Sequence, residues 1–147
     1  MRDIKFQFLY KGIPFHGETK ECNWHKKVYS LDQLIEIPLS RLSDVHHQST
    51  LIAKRQYTGL KDKNGIEIYE GDIVKSVSEI IRPFSGRGTE RTGKFSTTFH
   101  AIEYREESAS FCIVGSALSG IYQDLATKYY EVAGNIYQNP DLLDDKL

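Results

Sequence analysis

Gln56-Tyr57-Thr58-Gly59-Leu60-Lys61-Asp62-Lys63-Asn64-Gly65-Ile66-Glu67-Ile68-Tyr69-Glu70-Gly71-Asp72-Ile73-Val74 is the stretch that decides the fold. Asp62-Lys63-Asn64-Gly65 is its strongest local signal, because Asn and Gly both tolerate positive φ. A tight turn between two antiparallel strands follows. The strand before it starts at Leu51-Ile52-Ala53 and runs toward Thr58. Ile66-Glu67-Ile68-Tyr69 leaves the turn with two-residue alternation, the period of a half-buried strand. Glu70-Gly71-Asp72 bends the chain, Gly71 standing where a Cβ would clash and Asp72 accepting from local amides. Ile73-Val74-Lys75-Ser76-Val77 resumes as strand. Ile66, Ile68, Ile73 and Val74 are then expected in the core.

Toward the N-terminus, Ile4, Phe6 and Phe8 alternate with Lys5 and Gln7, which predicts a strand over residues 4–10, broken by Lys11-Gly12 and Pro14. Residues 24–29 read as a second strand. Ser30 then suits a helix N-cap, and Leu31, Leu34 and Ile35 lie at helical spacing, so a short helix is expected over 31–37, stopped by Pro38. Residues 39–49 read as loop or irregular helix. Toward the C-terminus, residues 82–93 hold three Gly, a Pro and three Arg, which marks a long mobile loop. Strands are expected over 95–104 and 111–114, separated by the polar turn Glu106-Glu107-Ser108. Residues 122–128 suit a helical turn and 130–137 a strand or loop, which Asn139-Pro140 ends. Several short strands with Gly-rich turns suggest a small barrel.

Composition bounds the class. The chain has 147 residues, 39% hydrophobic and 27% charged, with a formal net charge of -1. A chain of this length buries roughly 68–70% of its extended surface, enough for a core without staples. The charge balance excludes a strongly basic coat protein and an acidic disordered tail. No stretch approaches the roughly 18 apolar residues of a membrane span, so no membrane partner is expected. Met1-Arg2-Asp3-Ile4-Lys5 lacks the apolar core of a signal peptide. Two Cys are too few for a secreted disulfide scaffold. The expectation is a soluble protein of the cytoplasm. Residues 1–55 hold nine Lys/Arg against six Asp/Glu, while residues 56–147 hold ten against fourteen. A boundary near Arg55 follows.

Chemistry-bearing motifs are sparse. Cys22-Asn23-Trp24-His25 has the spacing of half a zinc site, but His16, His46, His47, His100 and Cys112 make no second pair, and zinc needs four ligands. Aligning Gly65 to the sixth position of a calcium loop puts Leu60 first and Gly71 twelfth, where carboxylates belong. Gly115-Ser116-Ala117-Leu118-Ser119-Gly120 lacks nucleophile-elbow spacing, and Gly86-Arg87-Gly88 lacks the Lys-Ser/Thr pair of a phosphate-binding loop. No catalytic residue, metal ligand or cofactor is therefore assigned, and the chain is not expected to be an enzyme. The one functional hint is basic. Arg82, Arg87, Arg91 and Lys94 fall within thirteen residues, opposed by Glu90, with Gly86, Gly88 and Gly93 permitting close backbone approach and Phe84 and Phe95 offering stacking surfaces. Set against this is the plain reading of a solvated loop whose charges maintain solubility, which the near-zero net charge favours.

The run from Gln56 to Val74 resembles the hallmark segment of the YopX family. Glu131-Val132-Ala133-Gly134-Asn135-Ile136-Tyr137-Gln138-Asn139-Pro140 is similar to that family's closing motif, and Met1-Arg2-Asp3-Ile4-Lys5-Phe6 to its usual start. Phe8-Leu9-Tyr10 stands where many members carry Trp-Asp. The resemblance implies a protein of bacteriophages and prophages with no established activity. It implies a mixed N-terminal part over 1–55 and an SH3-like β-barrel over 56–140, mainly β with minor helix (α+β), leaving 141–147 as a frayed tail. Two functions are carried forward. The leading one is a non-enzymatic module binding an unidentified host or phage protein, with Tyr57, Tyr69, Tyr122 and Tyr137 as contributors. The alternative is weak nucleic-acid binding through the basic loop. A homo-oligomer is also expected, because seven Phe, nine Tyr and one Trp exceed what two small cores enclose.

Overall fold

A computed structural model describes residues 3–13, 23–37, 49–84, 86, 88–115, 120–121 and 123–144. The fold is mainly β, with two four-stranded antiparallel sheets and little helix. The chain divides into two compact units, Met1–Gly59 and Leu60–Leu147.

In the first unit, strand β1 (Lys5–Gly12) lies between β2 (Trp24–Ser30) and β3 (Ser49–Lys61), antiparallel to both. β1 has a neighbour on each edge, and Gln7, Phe8, Leu9 and Tyr10 are all buried. Simple inward alternation from Ile4 therefore fails. Ile4 is 43% exposed, whereas Gln7 is buried and accepts a hydrogen bond from the buried Arg55 guanidinium. The register against β3 shifts between Leu9 and Tyr10, which leaves Ile52 as an extra residue on β3.

Ser30 ends β2 and caps α1 (Leu31–Glu36). Its Oγ accepts from Gln33 N at 3.2 Å, and Gln33 Oε1 accepts from Ser30 N at 2.9 Å, a reciprocal capping box. Such a cap contributes about 1 kcal/mol. It matters here because α1 buries no residue, and Ile35 is 74% exposed. Of the segment expected as loop or irregular helix over 39–49, residues 39–48, like Pro38, lie outside the described residues, and Ser49 begins the strand Ser49–Lys61.

β3 runs into the second unit, where the Asp62–Gly65 turn joins it to β4 (Glu67–Tyr69). The turn is as expected, with Gly65 at φ +80°. Its organiser is Asp62, whose carboxylate is buried. Oδ1 accepts from Asn64 N at 2.8 Å and Ile66 N at 2.9 Å, and Oδ2 accepts from Val132 N at 2.8 Å. Lys63 N donates to Tyr130 O at 2.9 Å. The turn is thus tied to a segment some seventy residues on. The bend that follows also forms as expected. Asp72 Oδ2 accepts from Tyr69 N at 2.7 Å, and Gly71 has φ +78° with a Cβ site 3.1 Å from the Tyr137 ring.

The second sheet has the order β7-β6-β5-β8, from β5 (Asp72–Pro83), β6 (Thr89–Arg105), β7 (Ser110–Ile113) and β8 (Glu131–Asn135). A short helix, α2 (Gln123–Tyr129), precedes β8. Ile68, Val74, Ile102, Phe111 and Ala126 form the core, with Leu60, Tyr130 and Val132 packed around it. In β8 the register shift against Ile73 and Val74 leaves Ala133 as an extra residue beside Gly134. A Cβ on Gly134 would collide with the Asn139 side chain. Asn135, also buried, accepts from Tyr137 N and Gln138 N at 3.1 and 2.9 Å and so closes the final turn.

Four expectations need correction. No closed barrel is found among the described residues. β7 and β8 pair only with β6 and β5, and at four and five residues they stop while β5 and β6 continue. Ile66 is not core: it is 52% exposed at the mouth of the turn. The mobile loop expected over 82–93 is instead mostly paired strand, up to Pro83↔Thr89. Asn139-Pro140 does not end the ordered chain, because Pro140–Leu143 forms a turn of 3-10 helix. Pro fits there, since a first helical residue needs no N–H partner.

Candidate functional site

β5 and β6 pair from Ile73↔Ala101 to Pro83↔Thr89. β8 flanks only residues 72–75 of β5, and β7 only residues 102–105 of β6. Beyond them, residues 76–83 and 89–100 form a two-stranded arm. An isolated hairpin is marginally stable in water, so its internal ties are informative.

Those ties centre on Glu79. Three residues of β6, Thr92, Gly93 and Lys94, stand against Ile80 alone, and Gly93 takes φ +67° to make the bulge. Glu79 Oε1 accepts from Gly93 N at 3.0 Å, while its Oε2 pairs with Arg91 Nε at 2.7 Å. Thr92 Oγ1 donates to Ile80 O at 2.6 Å and accepts from Lys94 N at 3.2 Å. At the tip, Phe84 N donates to Gly88 O at 3.0 Å.

Directly paired residues share a sheet face. The register therefore puts Val77, Ile81, Phe95 and Phe99 on one face, the apolar one though Lys75, Glu79, Thr97 and Arg91 share it, and Ser76, Ser78, Ser96 and Thr98 on the other. Ser76 and Thr98 hydrogen-bond each other at 2.9 Å across the polar face. The apolar face is open: Val77 is 47%, Ile81 54% and Phe95 67% exposed. This face went unrecognised in the sequence because its residues flank a segment whose Gly, Pro and Arg content reads as loop.

Of the four basic candidates, Arg87 lies outside the described residues. The other three do not gather on one face. Arg91 is opposite Ile81 on the apolar face and pairs with Glu79, Arg82 is opposite Glu90 on the polar face, and Lys94 sits exposed in the bulge. Elsewhere, Cys22 lies outside the described residues, while the His25 ring stacks on Tyr10 with centroids 4.9 Å apart. Among the described residues no three His, Cys, Asp or Glu side chains group to hold a metal ion. No helix is long and apolar enough to cross a membrane.

The family model described as YopX protein matches residues 15–144. No curated protein matches the chain. Among solved structures, the crystal structure of protein EF1440 from Enterococcus faecalis is similar, with 27% identity over 92% of this chain and 74% of that chain, at a TM-score of 0.44.

Proposed function

The chain belongs to the YopX family, and from that premise we propose a phage- or prophage-encoded, non-enzymatic module that binds a host or phage protein in the bacterial cytoplasm. Its docking element is the β5–β6 arm. The supporting observation is the exposed apolar face of Val77, Ile81 and Phe95 on a ribbon that runs beyond its flanking strands. Apolar side chains exposed together on one face mark interaction sites, and a ribbon with few tertiary ties loses little by rearranging onto a partner. The same face suits a second copy of the chain, so a homo-oligomer belongs to this reading.

Affinity capture from phage-infected cells tests it, using the wild-type chain and Ile81→Ser/Phe95→Ser. The expected result is a stoichiometric protein lost in the double variant. Repeated recovery of none, or equal recovery by the variant, contradicts the reading. Sedimentation equilibrium tests the oligomer, which a mass of 16.9 kDa at tens of micromolar contradicts.

The competing reading, nucleic-acid binding through Arg82, Arg87, Arg91 and Lys94, draws less support from the geometry. Arg91 is held by Glu79, and Arg82 faces Glu90 across the ribbon.

A further inference from the structure

Charge is segregated in the first unit in a way the arm does not share. β1, β2 and β3 up to Gly59 carry six Lys or Arg and no Asp or Glu, in a chain of net charge -1. The register aligns Lys27, Phe8 and Lys54 in one row across the three strands, with His25 opposite Tyr10 in the next row. Both lysines are held by rings. Lys27 Nζ is 5.7 Å from the Tyr10 centroid and Lys54 Nζ 5.5 Å from that of Phe8. The Tyr29 ring meets Phe8 edge-on at 5.3 Å.

A ring quadrupole orients an ammonium without neutralising it, as a carboxylate would. Phe8 and Tyr10 are buried and act as supports. Lys54 is exposed, and Lys27, His25 and Tyr29 are half-buried, so their charges and ring faces reach solvent.

We propose that this face of the β2-β1-β3 sheet binds single-stranded nucleic acid, with Lys27 and Lys54 contacting backbone phosphates and His25 and Tyr29 offering faces to unpaired bases. Of the six cations the register puts Lys27 and Lys54 on this face and Lys5, Lys11, Lys26 and Arg55 on the other, and the two lysines are complementary in charge to a phosphodiester chain. Adjacent cations and accessible rings are the combination that grips single strands without reading sequence. Paired bases in a duplex do not present their faces to such a surface. The inference is independent of the arm.

The test is a fluorescence anisotropy titration of the intact chain with labelled single strands and a duplex of about 20 nucleotides, from about 25 to 200 mM salt. Single strands are expected to bind, with affinity falling steeply as salt rises. Lys27→Gln/Lys54→Gln should weaken binding at least about tenfold and make the log–log salt slope shallower by about 1.4, for two lost phosphate contacts. Lys27→Arg/Lys54→Arg should retain binding, which separates lost charge from a disturbed sheet. Arg82→Ala/Arg91→Ala should change nothing. No binding at the lowest salt, equal binding by the Gln pair, loss in the Arg pair, or a preference for duplex overturns the proposal.

Discussion

The Asp62–Asp72 hairpin and the β5–β6 arm are neighbours in sequence and opposites in physics. The hairpin buries two carboxylates, Asp62 and Asp72, and satisfies them. One carboxylate accepts three backbone amides, a second closes the bend, and Ile68 and Val74 pack beneath. The arm leaves Ile81 and Phe95 in water and spends its one well-placed carboxylate, Glu79, on its own bulge. Buried, satisfied polar groups specify a fold. Exposed apolar ones on a marginal ribbon await an occupant. Folding information is thus concentrated in the run that carries the family likeness, and surface available for binding in the segment just after it.

The contrast predicts a graded series. Asp62→Ala should cost most, about 3 kcal/mol, because it removes a buried carboxylate that three part-buried backbone amides of the turn and β8 donate to. Denaturant unfolding measures this, and a loss under about 1 kcal/mol would remove Asp62 from its organising role. Gly71→Ala should cost about 2 kcal/mol, since alanine is strained at positive φ and its Cβ meets the Tyr137 ring.

A smaller effect comes from Glu131, whose carboxylate bridges Lys63 at 2.7 Å and Lys75 at 3.3 Å. Hydrogen bonds from both lysines, aided by their charge, hold its pKa below the usual carboxylate value. A depressed folded pKa makes its contribution complete above the ordinary carboxylate range and lost as pH falls through the lowered value. Glu131→Gln should therefore flatten the acid limb of the stability profile and leave the alkaline limb unchanged. A profile identical to wild type contradicts this.

Ile81→Ser/Phe95→Ser should have the least effect, within about 0.5 kcal/mol, because exposed side chains contribute little to folding. A loss above about 2 kcal/mol would show that the arm face is packed in solution.

These two regions also differ in how far the sequence discloses them. Asn64-Gly65, Gly71, Asp72 and the Ser30 cap act on residues a few positions away, so their chemistry is local and readable. Asp62 was readable as a turn residue, but its bond to Val132 depends on β8 lying beside the turn. Ile66 has the right parity for the core and misses it because the sheet begins one residue later. The arm was legible only at its base, where strands are expected over 73–77 and 95–104 and form parts of β5 and β6. Gly93 and the Gly-rich tip resemble a loop, and the pairing of Ile81 with Arg91 and Pro83 with Thr89 shows that the strands run on. The basic residues were legible as composition. Their placement on opposite faces, with Glu79 and Glu90 opposing them, is a matter of register that no local pattern encodes.

Native-state amide hydrogen exchange on the intact chain tests the central contrast most directly, because it reads both regions in one sample. The amides of Asn64, Ile66, Tyr69 and Val132 should exchange only through global unfolding, while those of residues 77–82 and 90–98 should exchange through local opening, orders of magnitude faster. Equal, global-level protection along the arm would contradict the account, since it would make the arm part of the folded core and not a surface left free for binding.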